Sequence, residues 1–342
     1  MRKKLLIILV LILLCSGCSS KENKRQINVL NWSSYIPNEV ILDFEKETGI
    51  EVNYGTYSSN EELLAKISVA KEGTYDLIFP SDYMVEIMIS RGLIQEMKTY
   101  RLDNIDNLNL NFLNKEYDLG NKYTLPFIAA STVIAVNRDV ISDDINSYND
   151  LLNSKYKNEI VLIDDQRIII GMALLANGYD MNSTNSGELE VAKNWLLKLK
   201  ENLKAYDSDS PKNFLISGEA SIAVLWNAEG ALASMENSSI ENIFPKEGVA
   251  LSIDNFAIPN GAKNIDELYE FIDYILRDDV MAKIIESYPY KTVNVASEEM
   301  LSDEYLNNSA ANISDDVFNS GLFVKNIGSN IGMYDRIWAE IK

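Results

Sequence analysis

Two blocks of alternating strand and helix signals, joined by two long extended stretches, predict a two-lobed α/β protein with a cleft between its lobes. The first block covers 27–92, where strand and helix patterns alternate as βαβαβα. The second restarts near Arg138, and the stretches 131–137 and 250–259 read as crossings between the two. The length of 342 residues suits about two domains. A composition of 46% hydrophobic and 24% charged residues excludes a disordered tail and a multi-span membrane protein.

The chain opens with an export pattern. Arg2, Lys3 and Lys4 form a basic start, residues 5–14 are apolar, and Ser16-Gly17 places small residues before Cys18. Such a run falls short of the ~20 residues that cross a bilayer. The ending resembles the bacterial lipoprotein signal, which implies cleavage before Cys18 and a lipid on its thiol; Cys15 stands where that pattern usually has Leu. Residues 1–17 are expected to be a signal peptide and 18–26 a lipid-anchored tether. The expected location is periplasmic or at the cell surface, anchored to the membrane. Removing 1–17 takes away three positive charges and no negative ones, so the net charge moves from −20 to −23.

In the first block, 27–30 predicts a strand followed by Asn31-Trp32-Ser33-Ser34-Tyr35-Ile36-Pro37. Pro37 suits the start of a helix carrying Val40, Ile41 and Phe44, which Thr48-Gly49 closes. Residues 50–54 predict the second strand. Ser59-Asn60-Glu61-Glu62 carries capping chemistry for a helix with Leu63, Leu64, Ile67 and Ala70 on one face. The third strand, 75–79, ends at Pro80-Ser81-Asp82-Tyr83, and a helix through Met84, Ile87 and Met88 runs to Gly92. Trp32, Tyr35, Ser81 and Tyr83 therefore fall at strand ends of one sheet, where ligands of α/β sheets collect.

Residues 93–121 are loop-rich. The second block predicts a helix near 148–152, a buried strand at 160–163 and a helix at 166–177. The polar loop 180–187 leads to an amphipathic helix, 188–203. Residues 221–227 read as a buried strand reaching Trp226, 228–236 as a helix, and the second crossing contains Asp254. Helical patterns follow at 266–276 and 278–287, then the kinked loop Tyr288-Pro289-Tyr290. Tyr334, Ile337 and Trp338 give 331–341 the spacing of a final docking helix. The two lobes are expected at 27–136 with 252–300, and at 137–251 with 301–342.

Composition narrows the chemistry. The sequence contains no histidine, which removes the commonest general base, the usual Ser and Cys triads and most zinc sites. Both cysteines lie in the N-terminal segment, so the body has neither a disulfide nor a thiol nucleophile. No cofactor, metal site or enzyme activity is expected. The acidic balance repels nucleic acid and attracts cations.

The strand at 160–163 stops at Asp164-Asp165. Carboxylates there can cap the following helix or meet a positively charged ligand, and taken alone the pair favours the cap.

Eight short motifs in order bear on that choice. They are Asn-Trp-Ser-Ser-Tyr-Ile-Pro (31–37), Glu-Thr-Gly-Ile-Glu-Val (47–52), Tyr-Asp-Leu-Ile-Phe-Pro-Ser-Asp-Tyr (75–83), Asp-Asp-Gln-Arg (164–167), Leu-Trp-Asn (225–227), Phe-Pro-Lys-Glu-Gly (244–248), Asp-Asn-Phe-Ala-Ile-Pro (254–259) and Ala-Lys-Asn (262–264). From about Ile27 to Lys342 the chain resembles the bacterial spermidine/putrescine-binding proteins of ABC transporters. The resemblance implies a periplasmic-binding-protein-like (type II) fold, each lobe a mixed, mostly parallel sheet flanked by helices. It also implies a polyamine ligand, an inner-membrane ABC permease as partner, and a monomer. The matching positions for the ligand are Trp32, Tyr35, Ser81, Tyr83, Asp165, Trp226, Asp254 and Tyr290, with Asp164 left as the helix cap. Physical chemistry agrees: methylenes gain about 0.8 kcal/mol each on burial, and ammonium groups gain roughly 0.5–2 kcal/mol over ring faces. Carboxylates add charge-assisted hydrogen bonds.

The sequence also departs from that family. Ile168 stands where a second acid is usual, Ser34 where Glu is often found, Ser252 where a cleft Trp is common, and Ala339 where Gln is expected. Fewer polar partners point to a cation with fewer ammonium groups, such as putrescine, or to a different amine. Two other readings of the same fold are an extracytoplasmic sensor and a binder of another solute, since a fold alone does not set the ligand.

Overall fold

The computed structural model describes residues 24–208 and 210–342. The expected signal peptide and Cys18 lie outside them.

β1 (Gln26–Trp32) pairs in parallel with β2 (Glu51–Tyr57) on one side and β3 (Leu77–Ile78) on the other. Helix Asn38–Thr48 connects the first two strands and buries Val40, Ile41 and Phe44; it closes at Gly49, whose φ of 71° suits a residue without Cβ. Helix Asn60–Val69 connects the next pair, and Ser59 caps it by accepting from the Glu62 N–H. The expected βαβαβα order therefore stands, ending in helix Asp82–Ser90. The tether is shorter than expected, because Gln26 already lies in β1 and Arg25 pairs with Glu267 and Glu270.

β4 (Ile94–Gln95) is a short edge strand, and β5 (Thr124–Asn137) is a fully buried run of 14 residues. The second block supplies β6 (Ile160–Leu162), β7 (Leu203–Tyr206), β8 (Ile222–Trp226) and β9 (Ile240–Ile243). β10 (Ala250–Pro259) follows, then the two-residue strands β11 (Lys291–Thr292) and β12 (Leu322–Phe323). The sheet path is β2-β1-β3-β10-β5-β8-β6-β7. The order turns on β5: Thr124 to Ser131 pair antiparallel with β10, whereas Thr132 to Asn137 pair with β8 and β9. One strand thus belongs to both lobes, and the boundary falls at Ser131/Thr132 rather than after 136. Asn227 pins this point, since its side chain accepts from the Ser131 N–H and donates to the Ala310 carbonyl.

Three rings underlie the N-terminal lobe's side of the cleft. Phe79, Phe127 and Phe256 are fully buried, with centroids 5.1–5.2 Å apart. Truncating such a ring costs about 3–5 kcal/mol, so the floor is stiff. In the C-terminal lobe, helix Asn227–Glu236 lies close on the sheet. A Cβ on Gly230 would come within 2.3 Å of Asn242 Oδ1 and 2.9 Å of Val133.

Residues 301–320 differ from the expected C-terminal-lobe assignment. Leu301, Tyr305, Ala310, Ala311, Ile313 and Phe318 enter the core built by Phe112, Ile128 and Leu276, with Phe318 edge-on to Phe112 at 5.0 Å. Apolar side chains follow the nearest unfilled core, and the short helices Asp303–Asn307 and Asp315–Ser320 gave no long periodicity to read. Helix Ile331–Ile341 packs on the second block: Tyr334 donates to the Ser183 carbonyl at 2.9 Å, and Trp338 meets Tyr206 edge-on. The helix expected at 148–152 is 3-10, and the one expected over 188–203 is Ser186–Leu199, followed by the 3-10 turn Lys200–Asn202 before β7 begins at Leu203.

Candidate functional site

Asp254 sits where β10 slips register against β5, between Asp254 and Asn255. Such bulges re-aim a side chain. Ser81, just before helix Asp82–Ser90, forms an antiparallel bridge with Asp254. Its hydroxyl donates to Asp254 Oδ1 at 2.6 Å, Tyr35 Oη donates to Oδ2 at 2.8 Å, and Ser252 approaches Oδ1 at 3.4 Å. Asn60 braces Ser81 from behind, through Nδ2 to Oγ at 3.1 Å. Asp254 is only 3% exposed. Burial pushes its carboxyl up to about 6, against the three hydroxyls, which favour the ionised form.

Aromatic rings build the wall beside it. Trp32 stacks on Tyr35 at 6.1 Å and packs on Tyr57 at 4.6 Å, and Tyr35 lies 5.0 Å from Tyr290. Trp32 Nε1 and Tyr57 Oη both donate to the Phe79 carbonyl, at 2.9 and 2.6 Å, so their polar edges point away and the ring faces remain for contact. Trp226 is half-buried at the end of β8. Burial raises the hydroxyls of Tyr35, Tyr57, Tyr83 and Tyr290, which keeps them as neutral donors.

Asp165 comes from the second lobe. It is itself the cap of helix Gln166–Ala176, Oδ1 accepting from the Arg167 and Ile168 N–H groups at 2.9 and 3.0 Å. The cap role expected of Asp164 therefore belongs to Asp165; Asp164 instead pairs with the Lys342 side chain. The reason is local: Asp165 is the last residue with extended φ/ψ before the helix, the position from which a side chain reaches the first free N–H groups. Burial pushes Asp165 up to about 6; the two backbone bonds and Arg167 oppose this, and Glu61 adds to it.

All eight residues singled out from sequence line one cavity between the lobes: Trp32, Tyr35, Ser81, Tyr83, Asp165, Trp226, Asp254 and Tyr290. Tyr57, Asn60, Asp82, Arg167, Ile168, Ser208 and Ser252 also line it. Tyr57 had a signal, since it ends β2 beside the ends of β1 and β3. Arg167 belongs to the Asp-Asp-Gln-Arg motif, but its packing did not follow from it: its guanidinium lies 5.8 Å from the Tyr83 ring and 5.0 Å from Tyr334, a contact between sequence-distant elements. Of the four departures, Ile168 and Ser252 face the cavity, Ser34 lines an adjoining one, and Ala339 is exposed on the final helix. The site can hold an elongated cation, with two carboxylates for its charges and rings for its methylenes. Burial pushes the Asp82 carboxyl well up, and the nearby Asp254 adds to this against a backbone bond from Tyr83.

The profile of the bacterial extracellular solute-binding proteins matches residues 39–312. A spermidine/putrescine-binding periplasmic protein of Escherichia coli is 35% identical, with 94% of this chain and 92% of that one covered. Among solved structures, a spermidine/putrescine ABC transporter from Listeria monocytogenes superposes with a TM-score of 0.89 at 31% identity, covering 93% of this chain and 98% of that one. A lipoprotein of Treponema pallidum superposes with a TM-score of 0.84 at 25% identity, covering 93% and 99%.

Proposed function

The chain belongs to the family of bacterial extracellular solute-binding proteins, and on that premise we propose that it is the substrate-binding lipoprotein of an ABC transporter for a polyamine. It captures an amine of the putrescine or spermidine class in the interlobe cleft and delivers it to the permease, with no chemistry of its own. The observation that carries this reading is the pairing of Asp165 and Asp254 in one aromatic-lined cavity. Asp165 stands on the second lobe and Asp254 on β10 of the first, so a cation that touches both favours the closed arrangement. Relatives named for spermidine and putrescine supply the ligand class.

Ile168 is 3% exposed and brings no charge to the cavity. With two acids at hand, a diamine such as putrescine matches the site better than a longer amine. The ligand residues are the eight sequence-predicted ones, the protein acts as a monomer, and a lipid on Cys18 holds it at the membrane.

A thermal-shift screen over putrescine, cadaverine, spermidine and spermine tests the reading. A ligand at 100 times its dissociation constant adds about 2.7 kcal/mol of stability. A flat response to all four amines contradicts it. The anchor is tested separately: Cys18→Ser should move the protein from the membrane to the soluble fraction, and retention at the membrane contradicts lipidation.

A further inference from the structure

Beside Trp226 and Tyr290 lies a second, small cavity that shares a wall with the cleft. It shares Ser33, Ser208, Trp226 and Tyr290 with the main one and adds Glu229 to the wall. Glu229 lies in the first turn of helix Asn227–Glu236. Its side chain is 14% exposed, and Lys212 Nζ donates to both carboxylate oxygens, at 3.0 and 3.1 Å. Burial raises the Glu229 carboxyl and Lys212 lowers it, while Asp207 adds further negative field.

An ionised carboxylate this enclosed requires a cation beside it. Lys212 supplies one in a telling form, since a lysine side chain is an alkyl chain ending in a primary ammonium, chemically the end of an aliphatic amine. We infer that Lys212 is a specificity-determining residue, a tethered stand-in for a ligand ammonium at Glu229 that limits the cleft to short amines. The inference rests on the polyamine reading and deepens it. A diamine finds Asp165 and Asp254 free to receive its two charges. A triamine brings a third ammonium that must either displace Lys212 or lie without a carboxylate. Because Lys212 is covalently attached, it competes at a high effective concentration whatever the ligand level. Removing its charge leaves Glu229 without a cation partner, and a third ammonium can then take that contact.

The test is calorimetric titration of putrescine and spermidine into the full chain and its Lys212→Met variant. Spermidine affinity should rise by about ten-fold or more, with putrescine within about two-fold of wild type. The gain should vanish when Glu229→Gln is added. Unchanged spermidine affinity, or a parallel change for both amines, overturns the inference while leaving the polyamine reading intact. If the wild-type chain binds neither amine, the polyamine reading itself falls, and this inference with it. Should the Met variant fail to melt cooperatively, Lys212→Gln keeps the polar stem and gives the same readout.

Discussion

Ser81 and Asp254 stand 173 positions apart, yet they form a backbone bridge, and the Ser81 hydroxyl donates to Asp254 Oδ1 at 2.6 Å. This contact ties the loop after β3 to β10, the next strand of the same lobe. With Tyr35 on its other oxygen, the carboxylate is oriented before any ligand arrives, which lowers the ordering cost of binding.

Replacing Asp254 with Asn separates binding from stability. Polyamine affinity should fall by ~100-fold or more, since losing one partner of a buried charge pair costs about 2–5 kcal/mol. The ligand-free protein should instead be at least as stable as wild type at neutral pH. The folded carboxyl titrates at about 6, above its ordinary 3.8. Its ionisation thus opposes folding: the penalty is absent below the unfolded value, grows as pH rises, and is complete above about 6. Its size is on the order of 3 kcal/mol. Urea unfolding checks the sign, and a clear loss of stability in the variant contradicts it.

Asp165 carries a cap and a ligand charge together, and two substitutions separate them. Asn caps as well as Asp and carries no ionisation penalty, so Asp165→Asn should be at least as stable as wild type at neutral pH while losing most polyamine binding. Asp165→Ala should lose binding and be about 1 kcal/mol less stable than the Asn variant. If the Asn variant binds like wild type, Asp165 is a cap alone.

Binding should weaken on acidification. Asp165 and Asp254 both titrate near 6 without ligand, and an ammonium stabilises their ionised forms, so binding near pH 6 releases protons. Affinity should be flat above about pH 7 and fall as pH drops through 6, by up to ~100-fold per unit if both acids must ionise. Titrations in buffers of different ionisation enthalpy measure the released protons. Proton uptake at pH 6 contradicts the assignment.

The site was more legible in the sequence than the lobes were. Trp32, Ser81, Tyr83 and Asp165 stand at or just beyond the ends of β1, β3 and β6, where apolar runs stop and polar or aromatic residues begin. Asp254 was visible as an acid inside a mostly apolar extended run. Its bulge was not, because a register slip depends on the partner strand. β7 and β9 escaped notice since each is four residues long and mixes Lys, Asn or Glu with apolar side chains. The double role of β5 was only half visible: 131–137 read as a crossing, but Thr124–Ala130 belongs to the same strand across Pro126. Chain order alone points residues 301–320 to the second lobe, whereas Phe318 finds Phe112 in the first.

The most direct measurement is a calorimetric titration of putrescine into the wild-type protein at about pH 7.5, with spermidine run alongside. One saturable site with a micromolar or lower dissociation constant, tighter for putrescine than for spermidine, is the predicted result. No saturation by putrescine at millimolar concentration, or tight spermidine with weak putrescine, would contradict it.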